Sequence, residues 1–109
     1  MILLHGFFDL RPNVDEDRFR AAFHAFYDHL RIEGLVTSAR FMRREPHSGY
    51  DSTPPETQFY TAIEFRDMAQ AERCWAYLEV NAEPVRSLHI TMNRLIRSAR
   101  FFLSRDIET

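Results

Sequence analysis

His5 is the residue whose type and surroundings best suit proton transfer in this sequence. It lies in the apolar segment 2–10, where only Asp9 is also strongly polar. Imidazole titrates near neutrality and is the side chain most often used as a general acid or base. The alternative is a hydrogen-bonded histidine of the core, without a role in chemistry. We predict His5 as the candidate catalytic residue and leave the structural alternative open.

Three charged residues are predicted to share one face of neighbouring strands. Arg40, Glu64 and Arg100 have apolar neighbours in the chain, and those neighbours need the opposite face. With Tyr60 they could bind a carboxylate or an enolate, because guanidinium groups bind such anions through paired hydrogen bonds. A salt-bridge network between subunits is the alternative, since buried charges must be paired whatever the function. The predicted ligand-binding residues are Phe7, Arg40, Tyr60, Glu64, Arg100 and Phe102.

The sequence predicts no metal site and no cofactor. His24 and Asp28 are one helical turn apart and could share a metal ion, but a solvated helix face explains them better, and His29 lies off their stripe. Haem ligation by a histidine stays open, because the local sequence singles none out. Cys74, the only cysteine, is predicted to be a small buried hydrophobic side chain. Glycine-rich phosphate loops and the motifs of hydrolases and zinc proteases are absent from the sequence.

Hydrophobic periodicity predicts the elements that must position these side chains. Phe19, Phe23 and Phe26 recur at helical spacing, whereas segment 59–66 alternates as a strand does. The predicted strands are 2–10, 35–44, 59–66 and 97–105. The predicted helices are 15–32, one from Asp67 to Asn81, and a further helical segment that Pro84 opens before the last strand.

Turn and cap residues separate these elements. Asn13 with Glu16 resembles a capping box, and Asp15 is a competing cap for the first helix. Gly34 stands where that helix should stop. Residues 45–58 are polar and hold three of the five prolines, which predicts a long loop without regular structure. This loop could cover a pocket or be a plain connection.

The element order β-α-β-β-α-β predicts one four-stranded antiparallel sheet with both helices on a single face. We call the other face the open face. In the third strand, Tyr60 and Glu64 fall on it, while in the first strand the set Leu3, His5, Phe7 and Asp9 is the better choice. The open-face residues predicted in strands two and four are Val36, Ser38, Arg40, Met42, Arg100 and Phe102.

Composition limits the class of protein. A chain of 109 residues has room for one domain, predicted as a single ferredoxin-like domain over 1–109. All 14 basic residues are arginine, yet the net charge is −2, which provides no attraction for nucleic acid or anionic lipid. Segment 58–65 also lacks a stacking aromatic at position 62 that an RNA-recognition motif would need. The apolar start is too short for a membrane span and a poor signal peptide, so a cytoplasmic protein is predicted.

The order of elements, the aromatic open face with Phe7, Tyr60 and Phe102, and the extra helical segment resemble the dimeric α+β barrel superfamily. The resemblance covers nearly the whole chain, and it implies membership of a functionally uncharacterised bacterial family within that superfamily. It implies a homodimer in which two ferredoxin-like sheets pack face to face. It also implies a small organic ligand, which many members bind between sheet and helices. The resemblance does not identify any catalytic residue in this sequence.

We therefore predict a homodimeric, small-molecule-binding barrel. It could be a cofactor-free enzyme of the monooxygenase or isomerase type, acting on a hydrophobic organic acid or a phenol. The alternative is a ligand-sensing or interaction module of the same fold, without catalysis. An enclosed pocket with convergent polar groups favours the first, and a lumen filled with side chains favours the second.

Overall fold

The computed structural model describes residues 1–47, 49 and 57–108. Its elements follow the predicted order, and the predicted extra segment is a separate helix before the last strand. In chain order they are β1 (Ile2–Leu10), α1 (Glu16–Ile32), β2 (Ser38–Arg43), β3 (Phe59–Phe65), α2 (Met68–Val80), α3 (Val85–Asn93) and β4 (Ile96–Arg105). Within the described part of the chain, no helix is long and apolar enough to cross a membrane.

Local hydrogen bonds explain where the helices begin and end. Asp15, not Asn13, caps α1, because its carboxylate accepts a hydrogen bond from the backbone N–H of Arg18 at 2.7 Å. Asp67 caps α2 in the same way, as predicted. Gly34 follows α1 with a φ of 75°, a left-handed conformation that glycine adopts without strain, so the predicted stop is confirmed.

The four strands form one antiparallel sheet in the order β2-β3-β1-β4. β4 contains one extra residue relative to β1, because Arg97 pairs with Asp9 and Arg100 pairs with Phe7. Ser98, between them, has a φ of 57°. This bulge allows Arg97 and Arg100 to lie on the same face although they are three residues apart.

The core lies between the sheet and the three helices. Alternate residues of β1 and β3 point into it, including Phe8 and Ile63, and they meet the phenylalanines along one side of α1. The predicted alternation of faces in β1 and β3 is confirmed. Segment 45–58 has no helix or strand where it is described, and residues 48 and 50–56 of the predicted loop lie outside the described residues.

The assignment of Val36 to the open face is wrong. Its side chain is 3% exposed and belongs to the core. β2 begins only at Ser38, and the preceding backbone still makes a turn, in which the N–H of Leu35 donates to the carbonyl of Leu30. Alternation does not apply in such a turn, so Leu35 and Val36 both point inward.

Candidate functional site

The open face carries a chain of hydrogen bonds centred on His5. Its Nδ1 lies 2.5 Å from Oη of Tyr60, and its Nε2 lies 2.7 Å from Oγ of Ser104. Both hydroxyl groups can donate or accept, so they satisfy either neutral tautomer of the ring. Ser104 was not predicted as a site residue, although alternation along β4 places it on the same face as Arg100 and Phe102. Both ring nitrogens of His5 are thus hydrogen-bonded, but the ring lies half-buried on the open face and not in the core. Its role in chemistry stays a prediction.

An aromatic cluster adjoins His5 on the same face. The Phe7 ring lies 5.0 Å from that of Tyr60 and 6.0 Å from that of Phe102, between ring centres. Phe102 is 59% exposed. Phe7 and Tyr60 beside it are half-buried, so the cluster forms a partly exposed aromatic surface on the open face.

The three charged residues share the open face, as predicted, but do not pair with one another. Cross-strand register places Arg40 opposite Ala62, Glu64 opposite Leu3, and Arg100 opposite Phe7. Among the described residues, no ion pair joins Glu64 to either arginine. Within one subunit these charges stand beside the aromatic cluster without forming a closed anion site.

A cavity of about 380 Å³ lies on the other side of the sheet, beneath the helices. Its wall consists mainly of aromatic and aliphatic side chains from β1, β3, β4 and all three helices. Its described lining residues are Leu4, Phe8, Phe19, Phe23, Phe26, Tyr27, Leu30, Thr61, Ile63, Phe65, Cys74, Trp75, Leu78, His89, Met92, Asn93, Ile96 and Phe101. Asn93 and Phe101 are the most exposed of these, and six others are half-buried. We therefore take the space between β4 and the end of α3 as the mouth of the cavity.

Three titratable side chains line the cavity, and burial shifts the pKa of each in the direction that favours its neutral form. Desolvation raises the pKa of Tyr27, and the nearby Cys74 adds to the effect. Burial raises the pKa of the Cys74 thiol to about 11. The pKa of His89 is lowered by desolvation, and its ring stacks on Phe26 with 4.7 Å between centres and 8° between planes. The cavity therefore offers hydrogen-bonding groups without a formal charge.

None of the seven residues predicted for the site lines this cavity. A sequence signal for one of the missed residues existed. His89 is four residues after Val85 and three before Met92, so it borders the apolar face of α3. Cys74 is buried, as predicted, but it also forms part of the cavity wall.

The histidines of α1 do not form a metal site. His24 and Asp28 are exposed, and Nε2 of His29 lies 2.8 Å from the hydroxyl oxygen of Tyr77 on α2. Over residues 1–47, 49 and 57–108, no group of three or more histidine, cysteine or acidic side chains could hold a metal ion.

Comparison with known proteins identifies a family for nearly the whole chain. Residues 1–108 match a family model described as "Family of unknown function (DUF6614)". No curated protein matches the sequence significantly.

Three solved structures illustrate the likeness. A protein of Arabidopsis thaliana has a TM-score of 0.75 at 3% identity, covering 100% of this chain and 98% of that one. A dimeric ferredoxin-like protein of unknown function from Jannaschia sp. CCS1 has a TM-score of 0.65 at 15% identity, covering 97% and 100%. SnoaB, a cofactor-independent oxygenase from Streptomyces nogalater, has a TM-score of 0.62 at 9% identity, covering 99% and 94%. At these identities the likeness shows the shared fold alone.

Proposed function

We propose that this chain, which belongs to the DUF6614 family, is a homodimeric α+β barrel whose subunits each bind a small, largely apolar molecule between sheet and helices. The observation that carries the proposal is the apolar cavity of about 380 Å³. This volume lies within the range of roughly 300–1,000 Å³ that is typical of pockets for small organic ligands. The opening at Asn93 and Phe101 gives such a molecule a route from solvent.

The open face supports the homodimer. Phe7, Tyr60 and Phe102 form an aromatic patch on a sheet surface that none of the three described helices covers. Aromatic residues are enriched where subunits meet, and a second copy of the same sheet would bury them. The Jannaschia protein with the same fold is described as dimeric.

Another proposal for the open face is a ligand with an acid group, held between two sheets by Arg40 or Arg100. The observation that favours it is the absence of an ion pair between Glu64 and these arginines among the described residues. In a dimer the same three charges could instead pair across the interface. Replacing Arg100 by methionine separates the two. It should weaken the dimer if the charges pair, and abolish only carboxylate binding if they hold a ligand.

Catalysis is a second candidate function, favoured by His89. A neutral imidazole at an apolar cavity can accept a hydrogen bond from the hydroxyl of a bound phenol and so polarise its O–H bond for reaction. SnoaB, which shares the fold, is described as a cofactor-independent oxygenase. A protein that senses a ligand without reacting with it would need the cavity but would not need His89 as a base. Replacing His89 by glutamine should stop turnover of a phenol and spare its binding if the protein is an enzyme.

We propose the cytoplasm as the compartment of this protein, since Cys74 is a free thiol.

Two neighbouring phenylalanines of β4 provide a matched test of dimer and pocket. Phe101 and Phe102 are similarly exposed, at 56% and 59%, but lie on opposite faces of the sheet. Phe102→Ser should raise the dimer dissociation constant by roughly tenfold or more and leave ligand affinity unchanged. Phe101→Ser should weaken binding of an apolar ligand and leave the dimer intact.

Light scattering across a concentration series measures the first effect, and fluorescence titration with a neutral apolar dye measures the second. A wild-type protein that is monomeric at every concentration would refute the homodimer. A dye that binds equally well to wild type and to Phe101→Ser would refute the assignment of the pocket.

A further inference from the structure

The wall of the cavity is apolar at every point except for a few uncharged groups. Its described lining residues include no arginine, aspartate or glutamate. The polar members are Thr61, Asn93 and the three groups with shifted pKa values, Tyr27, Cys74 and His89. Eight arginines are next to lining residues in the chain, at positions 18, 20, 31, 66, 73, 94, 97 and 100. All eight are exposed, and none lines the cavity.

A charged ligand would find no counter-ion in such a space. Moving an ionised carboxylate from water into an apolar environment costs several kcal/mol unless it is paired and hydrogen-bonded. Burial disfavours the charged form of His89, so protonation of this ring is a poor source of positive charge. A neutral hydroxyl, in contrast, needs only one hydrogen-bond partner, and the wall offers several.

We infer that the cavity selects neutral ligands, aromatic or alicyclic molecules with an uncharged polar group such as a phenol, and rejects carboxylates and sulfonates. This inference rests on the proposed function, because it names the ligand class of the same cavity. It narrows the organic acid or phenol expected from the sequence to the phenol. The arginines that suggested an acid lie on the open face, outside the cavity.

A pair of dyes with the same skeleton tests the inference. Phenylnaphthylamine is neutral, and anilinonaphthalene sulfonate adds one permanent negative charge to the same rings. The protein should bind the neutral dye at least roughly tenfold more tightly near neutral pH. Naphthol should displace the bound dye, and naphthoate should do so at least roughly tenfold less effectively.

The site of binding is fixed by variants that fill the cavity. Leu78→Trp and Ile96→Trp each enlarge a half-buried lining side chain from a different element, so a folding defect in one leaves the other usable. Only dye binding that these variants reduce counts as cavity binding. Dye that remains bound belongs to the open face, where Phe102→Ser should remove it.

Charge at the cavity mouth provides the converse test. Asn93 is exposed and lines the cavity at the end of α3, where an arginine side chain is tolerated. Asn93→Arg should reduce or reverse the preference for the neutral dye, whereas the control Asn93→Gln should keep it.

The outcomes separate the two proposals. Binding of the neutral dye alone, reduced by the filling variants, supports both. Equal or tighter cavity binding of the sulfonate or of naphthoate overturns the inference but leaves the pocket in place. If neither dye binds the cavity, the proposed ligand-binding function fails, and the inference fails with it.

Discussion

The two faces of the sheet use the same kinds of residue for different purposes. On the helix face, Phe8 packs within the core and borders an uncharged cavity. On the open face, Phe7 lies beside Tyr60 and among charged side chains. The two phenylalanines are consecutive residues of β1, so their side chains point to opposite faces of the sheet. Side-chain type alone therefore does not assign an aromatic residue to core, pocket or interface; the face of the sheet does.

The largest expected effect concerns this pair of neighbours. Phe8 is 2% exposed and contacts the ring of Phe19 at 5.1 Å between centres, so Phe8→Ala should lower the free energy of unfolding by about 3–5 kcal/mol. Phe7→Ala should lower the stability of the isolated subunit by less than about 1 kcal/mol, because Phe7 is only half-buried there. Denaturant unfolding at low protein concentration measures both. Equal losses would mean that the two faces do not differ as described.

A smaller effect is expected from the hydrogen bonds of His5. Tyr60→Phe removes the hydroxyl 2.5 Å from Nδ1 but keeps the ring against Phe7, so it should lower the free energy of unfolding by about 0.5–1.5 kcal/mol. Ser104→Ala removes the partner of Nε2 and should have a similar effect. Either variant should also weaken the dimer if the open face is the interface. Unchanged stability and an unchanged dimer in both variants would show that this hydrogen-bond chain has no structural role.

The pH dependence of the free energy of unfolding should depend on His89 in the cavity wall. His89 has a pKa lowered from 6.5 by desolvation, so below that pH the unfolded chain binds more protons than the folded protein. The stability contributed by neutral His89 is present above pH 6.5 and is lost as the pH falls through the lowered value. His89→Gln should reduce this decline on the acid side, whereas His24→Gln, at an exposed position, should keep it. Thermal melts between about pH 5 and pH 8 test the prediction. A steeper decline in His89→Gln would contradict it.

The smallest effect is kinetic. Cys74 is buried and its pKa is raised to about 11, so a thiol reagent should label the folded protein much more slowly than the unfolded chain near neutral pH. A ligand in the cavity should slow labelling further, since Cys74 belongs to the wall. Labelling as fast as in denaturant would contradict this account of the helix face.

Most of the fold could be predicted from the sequence, because alternation and helical spacing are local properties. They locate every strand and helix and the faces of β1 and β3. The error at Val36 came from applying alternation where the backbone turns. The choice between Asn13 and Asp15 as cap depends on which of them has extended backbone, and local spacing does not settle that.

The residues that line the cavity could not be predicted, because the distance between helices and sheet depends on tertiary packing. Tyr27, Cys74 and His89 come from three different helices, and no spacing in the sequence relates them. The residues of the open-face cluster were easier to predict, because alternation along a single strand is enough to assign each of them to a face. Ser104 lies on the same face, but its contact with His5 also depends on cross-strand register.

The bulge in β4 determines where the chain tolerates a change of length. Residues 98 and 99 together oppose Phe8, so a chain lacking one of them would keep Arg97 opposite Asp9 and Arg100 opposite Phe7. A deletion beyond Arg100 would have the opposite result, because every later side chain would exchange faces. Relatives of this protein can therefore lack residue 98 or 99 without exchanging the faces of pocket and interface side chains, whereas loss of Phe101 would turn Phe102 toward the helices.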